Sequence, residues 1–323
     1  TILMHREPNG IWRVDYQLPP GETPEEALRP ASLQARIDAQ LAMIGFAGTP
    51  WEMDWSSVYS ARTLTLPDYV HGRVIFTGDA AHLLPIFGVR GANTAFQDAQ
   101  SLGWHLALVA KGLAGRQLLA NHSAERVGAA REIIDEAGKS TRFMAPPSRG
   151  FRLLRDAVLS LSLTQDFVRP LYHWRTSRPH EYSRSLLNSP CDDNAQFTGG
   201  PALGAPPQNV QFQADNHLLD HLGGGFDLVY VADSHGIPVD IAQAVASLQA
   251  QGLPLKLIAI SSQTAAVEGA NLSLHDPQMR FQARYAVQAG GAYLFRPDQH
   301  ICARWLQLDA ARLTQSLQVA CMR

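Results

Sequence analysis

Residues 73–112 constrain the fold most, because they join a short apolar run, a loop containing proline and glycine, and the pattern of an amphipathic helix. Residues 74–76 are apolar and lie between two glycines, which predicts a strand buried on both faces. Asp79 follows this predicted strand, at a position where ligands collect in α/β sheets. We expect its carboxylate to accept hydrogen bonds from hydroxyl or main-chain N–H groups. The segment therefore predicts a cofactor site, or half of one.

The loop and helix of this segment carry further signals of a ligand. Pro85 fixes one backbone angle, and glycines at 88 and 91 allow close approach of a flat or anionic group. Gly91 and Asn93 are expected to open a helix that closes at Gly112, and the N–H groups of its first turn would favour negative charge. Spacings of four, three, four and three predict one buried stripe on this helix, formed by Ala95, Ala99, Leu102, Leu106 and Val109. The alternative is an ordinary strand–loop–helix unit with a capping Asn and a satisfied Asp.

The combined motif GDAAHLLPIFGVRGANTAFQDAQSLGWHLA resembles the second FAD-binding motif of the flavin-dependent aromatic hydroxylases, the single-component monooxygenases of the para-hydroxybenzoate hydroxylase type. The resemblance implies that Asp79 binds the ribityl chain and that the stretch from Pro85 to Asn93 lies along the isoalloxazine ring. The helix start would face the N1–C2=O edge of that ring. The implied cofactor-binding residues are Gly78, Asp79, Pro85, Arg90, Gly91, Ala92 and Asn93. Ile86 and Arg90 depart from the residues frequent in the family, Pro and Gln, which affects the expected shape of the substrate side.

Other segments extend the resemblance to hydroxylases of the 3-(3-hydroxyphenyl)propionate and phenol types. They include IWRVDYQLPPGETPEEALRP, WSSVYSARTLTLPDYVHGRVIFTGDAAH and GAYLFRPDQHICARW. A complete flavin hydroxylase opens with G-x-G-x-x-G, and this motif does not occur in the sequence. The chain also begins inside a predicted hairpin, in which Asn9-Gly10 signals the turn. We therefore interpret the chain as the C-terminal portion of a larger hydroxylase.

The predicted fold class is α/β (α+β), with part of an FAD-binding and substrate domain followed by a C-terminal thioredoxin-like domain. We divide the chain into a substrate-binding sheet part at 1–72, with a helix at 32–46 and a strand at 58–66, and a flavin-motif part at 73–180. A linker at 181–208 precedes the domain at 209–323. That domain has strand candidates at 226–232 and 255–260 and a strand pair at 292–305, with helices at 240–251, 277–288 and 310–320.

The thioredoxin-like domain is predicted to lack dithiol chemistry. Residues 231–238, VADSHGIP, occupy the place of the C-x-x-C motif and contain no cysteine. Cys191, Cys302 and Cys321 have no paired spacing, so buried or incidental thiols are favoured over disulfides or a zinc site, and no metal is predicted. His82 lies in the flavin loop, where we expect a structural hydrogen bond rather than proton transfer.

The composition excludes several classes of protein. The chain has 323 residues, of which 46% are hydrophobic and 17% charged, so it can bury sizeable cores and is not disordered. A net charge of −2 without a basic stripe gives no sign of nucleic-acid binding. No apolar run approaches the roughly 20 residues of a membrane helix, and no signal peptide is recognised, so we expect a cytoplasmic location and no membrane partner.

The resemblance implies an oxidoreductase in which NADH or NADPH reduces FAD and one oxygen atom of O2 enters a phenolic or related aromatic ring. Pro85 and Ile86 would border the substrate side, whereas the catalytic residue that activates the substrate is not identified. A homodimer is one oligomer that the family suggests. Two alternatives stay open: an inactive fragment or assembly module, and a related flavoprotein such as a halogenase or dehydrogenase.

Overall fold

The computed structural model describes residues 2–86, 90–172, 179–190 and 192–323. The chain forms two compact units. The described residues of the first unit are 2–62, 85–86 and 137–172, and those of the second are 63–84, 90–136, 179–190 and 192–323. The four-part division expected from the sequence stays a prediction, and Gly88 and Cys191 lie outside the described residues.

The described chain contains both helices and strands. The α-helices are α1 (Pro24–Ala27), α2 (Pro30–Met43), α3 (Gly91–Ala110), α4 (Gln117–Met144), α5 (Arg149–Leu161), α6 (Val239–Ala250), α7 (Arg280–Tyr285) and α8 (Ala310–Ala320). The strands are β1 (Ile2–Arg6), β2 (Trp12–Tyr16), β3 (Leu64–Thr65), β4 (Val70–His71), β5 (Val74–Ile75), β6 (His82–Leu83), β7 (Gln211–Gln213), β8 (Asn216–His217), β9 (Phe226–Val231), β10 (Leu255–Ser261), β11 (Leu272–His275), β12 (Ala292–Phe295) and β13 (Ile301–Trp305). None of these helices is both long enough and apolar enough to cross a membrane.

The first unit opens with the predicted hairpin. Strands β1 and β2 pair in antiparallel fashion, with Ile2 opposite Tyr16. Asn9 and Gly10 have φ values of 60° and 76°, in the left-handed region that a tight turn requires. The hairpin prediction is confirmed.

Two further predictions for the N-terminal part differ from the structure. The helix predicted at 32–46 spans Pro30–Met43, because Pro30 begins it and Gly45, with φ +88°, follows its end. The strand predicted at 58–66 is wrong, since only Leu64–Thr65 is a strand. A strand exists only where it is paired, and its partner β6 provides two residues.

The second unit contains a five-stranded sheet in the order β11-β10-β9-β12-β13. Strands β9, β10 and β11 are parallel, whereas β12 is antiparallel to β9 and β13 is antiparallel to β12. Every residue of β9 is buried, and its apolar side chains alternate between two apolar clusters on opposite faces. This burial explains why β9 is apolar in the sequence at every position except Asp227.

The bounds of β9, β10, α6 and α8, in and beside this sheet, agree with the sequence prediction to within one or two residues. The edge strand β11 was missed, and the helix predicted at 277–288 is the short α7. Met279 and Ala286 flank α7 with φ values of 53° and 52°, so left-handed residues bound the helix on both sides.

Cys302 and Cys321 are buried, and burial raises the pKa of Cys321 to about 11.

The predicted linker packs against the edge of this sheet. It contains no α-helix in its described part, and its backbone makes hydrogen bonds with β13. The Ser189 amide donates to the Cys302 carbonyl at 2.7 Å, and the Gly204 amide donates to the Ile301 carbonyl at 2.7 Å. Leu187 is fully buried in the same stretch. The segment therefore covers an edge strand that would otherwise expose unpaired backbone groups.

Candidate functional site

The predicted strand at the start of the motif is a surface hairpin. Strand β5 pairs with β4 around Gly72, which has φ +65°. The Val74 side chain is 56% exposed, so the expectation of a strand buried on both faces is wrong. The reason is that β5 has one two-residue partner rather than a place inside a larger sheet.

A 3-10 turn at Gly78–Ala80 presents Asp79 at the surface. Gly78 is buried with φ +56°, and a Cβ atom at this position would lie 3.2 Å from the Cβ atom of Ala95 in α3. Glycine therefore allows the turn both its left-handed residue and its close packing against the helix. The Asp79 side chain is exposed and accessible to a ligand.

Helix α3 begins at Gly91, as predicted, and Gly112 follows its end with φ +68°. Arg90 occupies the N-cap position, and its side chain makes no capping hydrogen bond to the first turn. Ala92 and Asn93 are exposed, and no atom of the described residues, apart from the chain neighbours and the helix backbone, lies within 4 Å of the place that a Gly91 Cβ atom would occupy. Arg90 is buried, and this burial lowers the pKa of its guanidinium.

The buried face of α3 differs from the predicted apolar stripe. Ala99 and Leu106 are exposed, and Leu106 is 45% accessible. The residues that are buried instead are Thr94, Asp98, Ser101, Trp104, His105 and Leu108. The helical period is the same, but the face is rotated by about one residue, since polar side chains point inward to partners on other elements.

Asp98 is the centre of these inward contacts. Its Oδ2 atom accepts hydrogen bonds from the Gly78 amide at 3.1 Å and from His82 Nε2 at 2.6 Å. Its Oδ1 atom accepts from Arg126 Nε at 2.6 Å. Burial raises the pKa of Asp98, but the His82 hydrogen bond and the Arg126 charge outweigh it, so the pKa lies below its ordinary value. The structural hydrogen bond expected of His82 is confirmed.

Arg126 links this centre to the rest of the second unit. Its Nη1 atom donates to the Tyr182 hydroxyl at 2.7 Å, and its Nη2 atom donates to the Thr94 carbonyl at 3.3 Å. Sequence reasoning missed Asp98, Arg126 and Tyr182 as site residues. The signal that could have found Asp98 is the helical spacing of the polar residues at 94, 98, 101 and 105.

The two residues predicted to border the substrate side differ in exposure. Pro85 is buried, whereas Ile86 is 43% exposed. Both belong to the first unit, whereas the Asp79 turn and α3 belong to the second.

The second unit thus brings together an exposed carboxylate on a tight turn and the N-terminal part of a 20-residue helix. A carboxylate accepts hydrogen bonds from ligand hydroxyls, and a helix N-terminus stabilises negative charge. These donor and acceptor groups fit the ribityl chain and the pyrimidine edge of a flavin.

Comparison with known proteins agrees with this geometry. Residues 5–137 match the FAD binding domain family. A 3-(3-hydroxy-phenyl)propionate/3-hydroxycinnamic acid hydroxylase from Mycolicibacterium gilvum (strain PYR-GCK) is 36% identical over 233 residues, covering 68% of this chain and 38% of the relative. The hydroxylase of the same name from Paraburkholderia xenovorans (strain LB400) is 36% identical over 154 residues, covering 47% of this chain and 24% of the relative.

Solved structures have the same fold. The flavin-dependent monooxygenase PieE, in complex with FAD and substrate, aligns with a TM-score of 0.74 at 20% identity over 99% of this chain and 58% of its own. The rebeccamycin biosynthetic enzyme RebC with reduced flavin aligns with a TM-score of 0.57 at 25% identity over 79% of this chain and 46% of its own. The chain spans about two fifths or less of the two curated relatives, and the resemblance indicated by its motif is confirmed.

Proposed function

We propose that this chain, which carries the FAD binding domain of the flavin-dependent aromatic hydroxylases, is part of a monooxygenase that hydroxylates a phenolic ring. The reductant would be NADH or NADPH, and O2 would supply the inserted oxygen atom. The names of the curated relatives favour a hydroxyphenyl alkanoate or alkenoate as substrate. A homodimer stays a prediction from the same resemblance.

The observation that carries the proposal is the exposed Asp79 turn packed against α3, whose N-terminal residues Ala92 and Asn93 are exposed. Asp79 would accept hydrogen bonds from the ribityl hydroxyls. The N–H groups of Gly91, Ala92 and Asn93 would face the pyrimidine edge and favour negative charge there without reorganising. FAD, when bound, would supply the electron transfer and the activation of O2.

The remaining motif residues have supporting roles in this proposal. Gly78 lets the turn approach the helix, because a side chain at this position would crowd Ala95. Arg90 occupies the N-cap position of α3 with its guanidinium buried. Pro85 and Ile86 would border the aromatic substrate and help to exclude water from the reacting ring.

We assign the C-terminal sheet to the thioredoxin-like class. The order β10-β9-β12-β13, the crossover helix α6 between the parallel strands and the final helix α8 support this assignment. Residues 231–238 contain no cysteine, so the sheet would not perform dithiol exchange. Its role would be to support the flavin-motif helix, since Asp298 Oδ2 accepts a hydrogen bond from Trp104 Nε1 at 3.1 Å.

The experiment is a flavin titration of the purified chain followed by turnover. We expect FAD to bind with a change in flavin absorbance, and 3-(3-hydroxyphenyl)propionate to stimulate NAD(P)H oxidation in the complete enzyme. Mass spectrometry after turnover under isotopically labelled O2 should find one labelled oxygen atom in the product. A chain that binds no FAD would favour the assembly module, and a product without added oxygen would favour a different flavoprotein reaction.

A further inference from the structure

A buried pair of side chains, Asp98 and His82, holds the turn that carries Asp79. Asp98 Oδ2 accepts hydrogen bonds from the Gly78 amide and from His82 Nε2. Gly78 immediately precedes Asp79, and His82 lies three residues after it. One carboxylate oxygen therefore ties together the two ends of the exposed turn.

The pair also sets the distance from this turn to the start of α3. Asp98 lies one turn beyond Ala95, the residue against which Gly78 packs. The helix is continuous from Gly91 to Asp98 and beyond, so the hydrogen bonds to Asp98 fix Asp79 relative to the first turn of α3. Displacement of Gly78 or His82 would move Asp79 away from a ligand that contacts both Asp79 and the first turn of α3.

Asp98 is itself held in one orientation. Its other oxygen accepts from Arg126 Nε at 2.6 Å, and Arg126 is fixed by Tyr182 and by the Thr94 carbonyl. All of the side chains that contribute to this arrangement are buried. A buried ion pair adds little net stability over apolar packing, and its best-attested benefit is a unique geometry.

We propose that Asp98 and His82 are positioning residues for Asp79, which they hold against the start of α3 without touching the ligand themselves. This inference rests on the proposed flavin site. It predicts that loss of the Asp98–His82 hydrogen bond loosens the Gly78–Ala80 turn and weakens FAD binding, beyond any general loss of stability.

Four variants of the 323-residue chain test the proposal. His82→Leu removes the donor to Asp98, whereas His82→Gln retains a side-chain N–H donor. Asp98→Asn keeps the size of the side chain but removes the charge that pairs with Arg126. His105→Gln is the matched control, because His105 is equally buried on α3 but donates through Nδ1 to the Ser101 carbonyl, away from the turn.

Two measurements are made on each variant: amide hydrogen exchange of residues 77–83, and the dissociation constant of FAD. We expect His82→Leu and Asp98→Asn to accelerate exchange in the turn ahead of global unfolding. They should also weaken FAD binding by about tenfold, the lower end of the effect that the loss of a residue supporting a metal ligand has on metal affinity. His82→Gln should restore most of both properties, and His105→Gln should leave both close to wild type. If Asp98→Asn does not fold, the comparison of His82→Leu with His82→Gln decides.

Unchanged exchange in the turn, or accelerated exchange with unchanged FAD affinity, would overturn the positioning role. An equal loss of FAD affinity in the His105→Gln control would do the same, because it would indicate general destabilisation. A wild-type chain that binds no FAD would instead remove the proposed flavin site, so the two failures are distinguishable.

Discussion

Arg296 and Glu125 form a bidentate ion pair, with Nη1 2.7 Å from Oε1 and Nη2 2.9 Å from Oε2. Arg296 follows strand β12, and Glu125 lies on α4 beside Arg126. Burial disfavours the charged guanidinium, but the charges of Asp298 and Glu125 outweigh it and raise the pKa of Arg296. The ion pair therefore joins the C-terminal sheet to α4. The residue after Glu125 on this helix, Arg126, is the one that binds Asp98.

Replacing this arginine should be strongly destabilising. Arg296→Met leaves two buried carboxylates, Glu125 and Asp298, without their cation, which costs about 3–5 kcal/mol in comparable buried pairs. Urea unfolding of the chain measures the change. Arg116→Met is the control, because Arg116 is an exposed arginine of the same unit, and its loss should change the free energy of unfolding little. Equal effects of the two substitutions would contradict a structural role for the Arg296 ion pair.

The segment that covers β13 should tolerate no side chain at Gly204. A Cβ atom there would lie 2.2 Å from the carbonyl carbon of Tyr182, and Gly204 has φ +76°. Gly224 has a similar φ of +80° with open space around it. Gly224→Ala should cost roughly 1–2 kcal/mol for the left-handed backbone, and Gly204→Ala should cost about 1–3 kcal/mol more for the clash. Matching free energies of unfolding would mean that the segment is free to move away from the sheet edge.

Local signals in the sequence predicted much of this fold. Asn9-Gly10 predicted a turn, and Gly91 and Gly112 predicted both ends of α3, because left-handed and helix-terminal positions demand particular residues. The largely apolar residues 226–232 predicted a strand, and β9 is buried on both faces. These features depend on neighbouring residues and on burial, which hydropathy and residue type report directly.

The part that sequence patterns did not predict depends on distant partners. A hydropathy pattern places Asp98 at the surface, yet its carboxylate is buried because Arg126, 28 residues later, and His82, 16 residues earlier, bind it. The strand predicted at 58–66 failed for a similar reason, because the length of its partner β6 limits its pairing. The motif indicated Asp79 as a candidate site residue, whereas the buried residues behind it could be found only from the tertiary structure.

Two buried histidines should make the fold less stable in mild acid. Burial lowers the pKa of His122 to about 4 and that of His105 to about 3, from an ordinary value of 6.5. Below pH 6.5 the unfolded chain takes up protons that the folded chain excludes, so the stability is fully present above this value and falls as the pH drops toward the folded pKa values. Each histidine should lower the free energy of unfolding by about 1 kcal/mol for each unit by which the pH falls in this range.

Unfolding free energies measured between about pH 5 and pH 7 test this expectation, because carboxylates with ordinary pKa values stay ionised in this range. His122→Gln should reduce the slope by the contribution of one histidine. His235→Gln should leave the slope unchanged, since His235 is exposed. If the free energy of unfolding of His122→Gln depends on pH as steeply as that of the wild type, another group causes the acid sensitivity.

Removing the Asp79 carboxylate should weaken FAD binding without unfolding the protein. Asp79 is exposed on the Gly78–Ala80 turn, so Asp79→Ala removes no buried contact and should leave the free energy of unfolding close to wild type. A hydrogen bond to a charged group contributes about 1.5–3 kcal/mol, which corresponds to a roughly tenfold to hundredfold rise in the dissociation constant of FAD. Asp79→Asn should lie between Asp79→Ala and the wild type, because the amide retains an acceptor oxygen without the charge. Asp215→Ala is the control, since Asp215 is an exposed aspartate near the β7–β8 hairpin, and it should bind FAD as the wild type does. Unchanged affinity in Asp79→Ala, measured by flavin fluorescence titration, would contradict the role of this carboxylate in holding the ribityl chain.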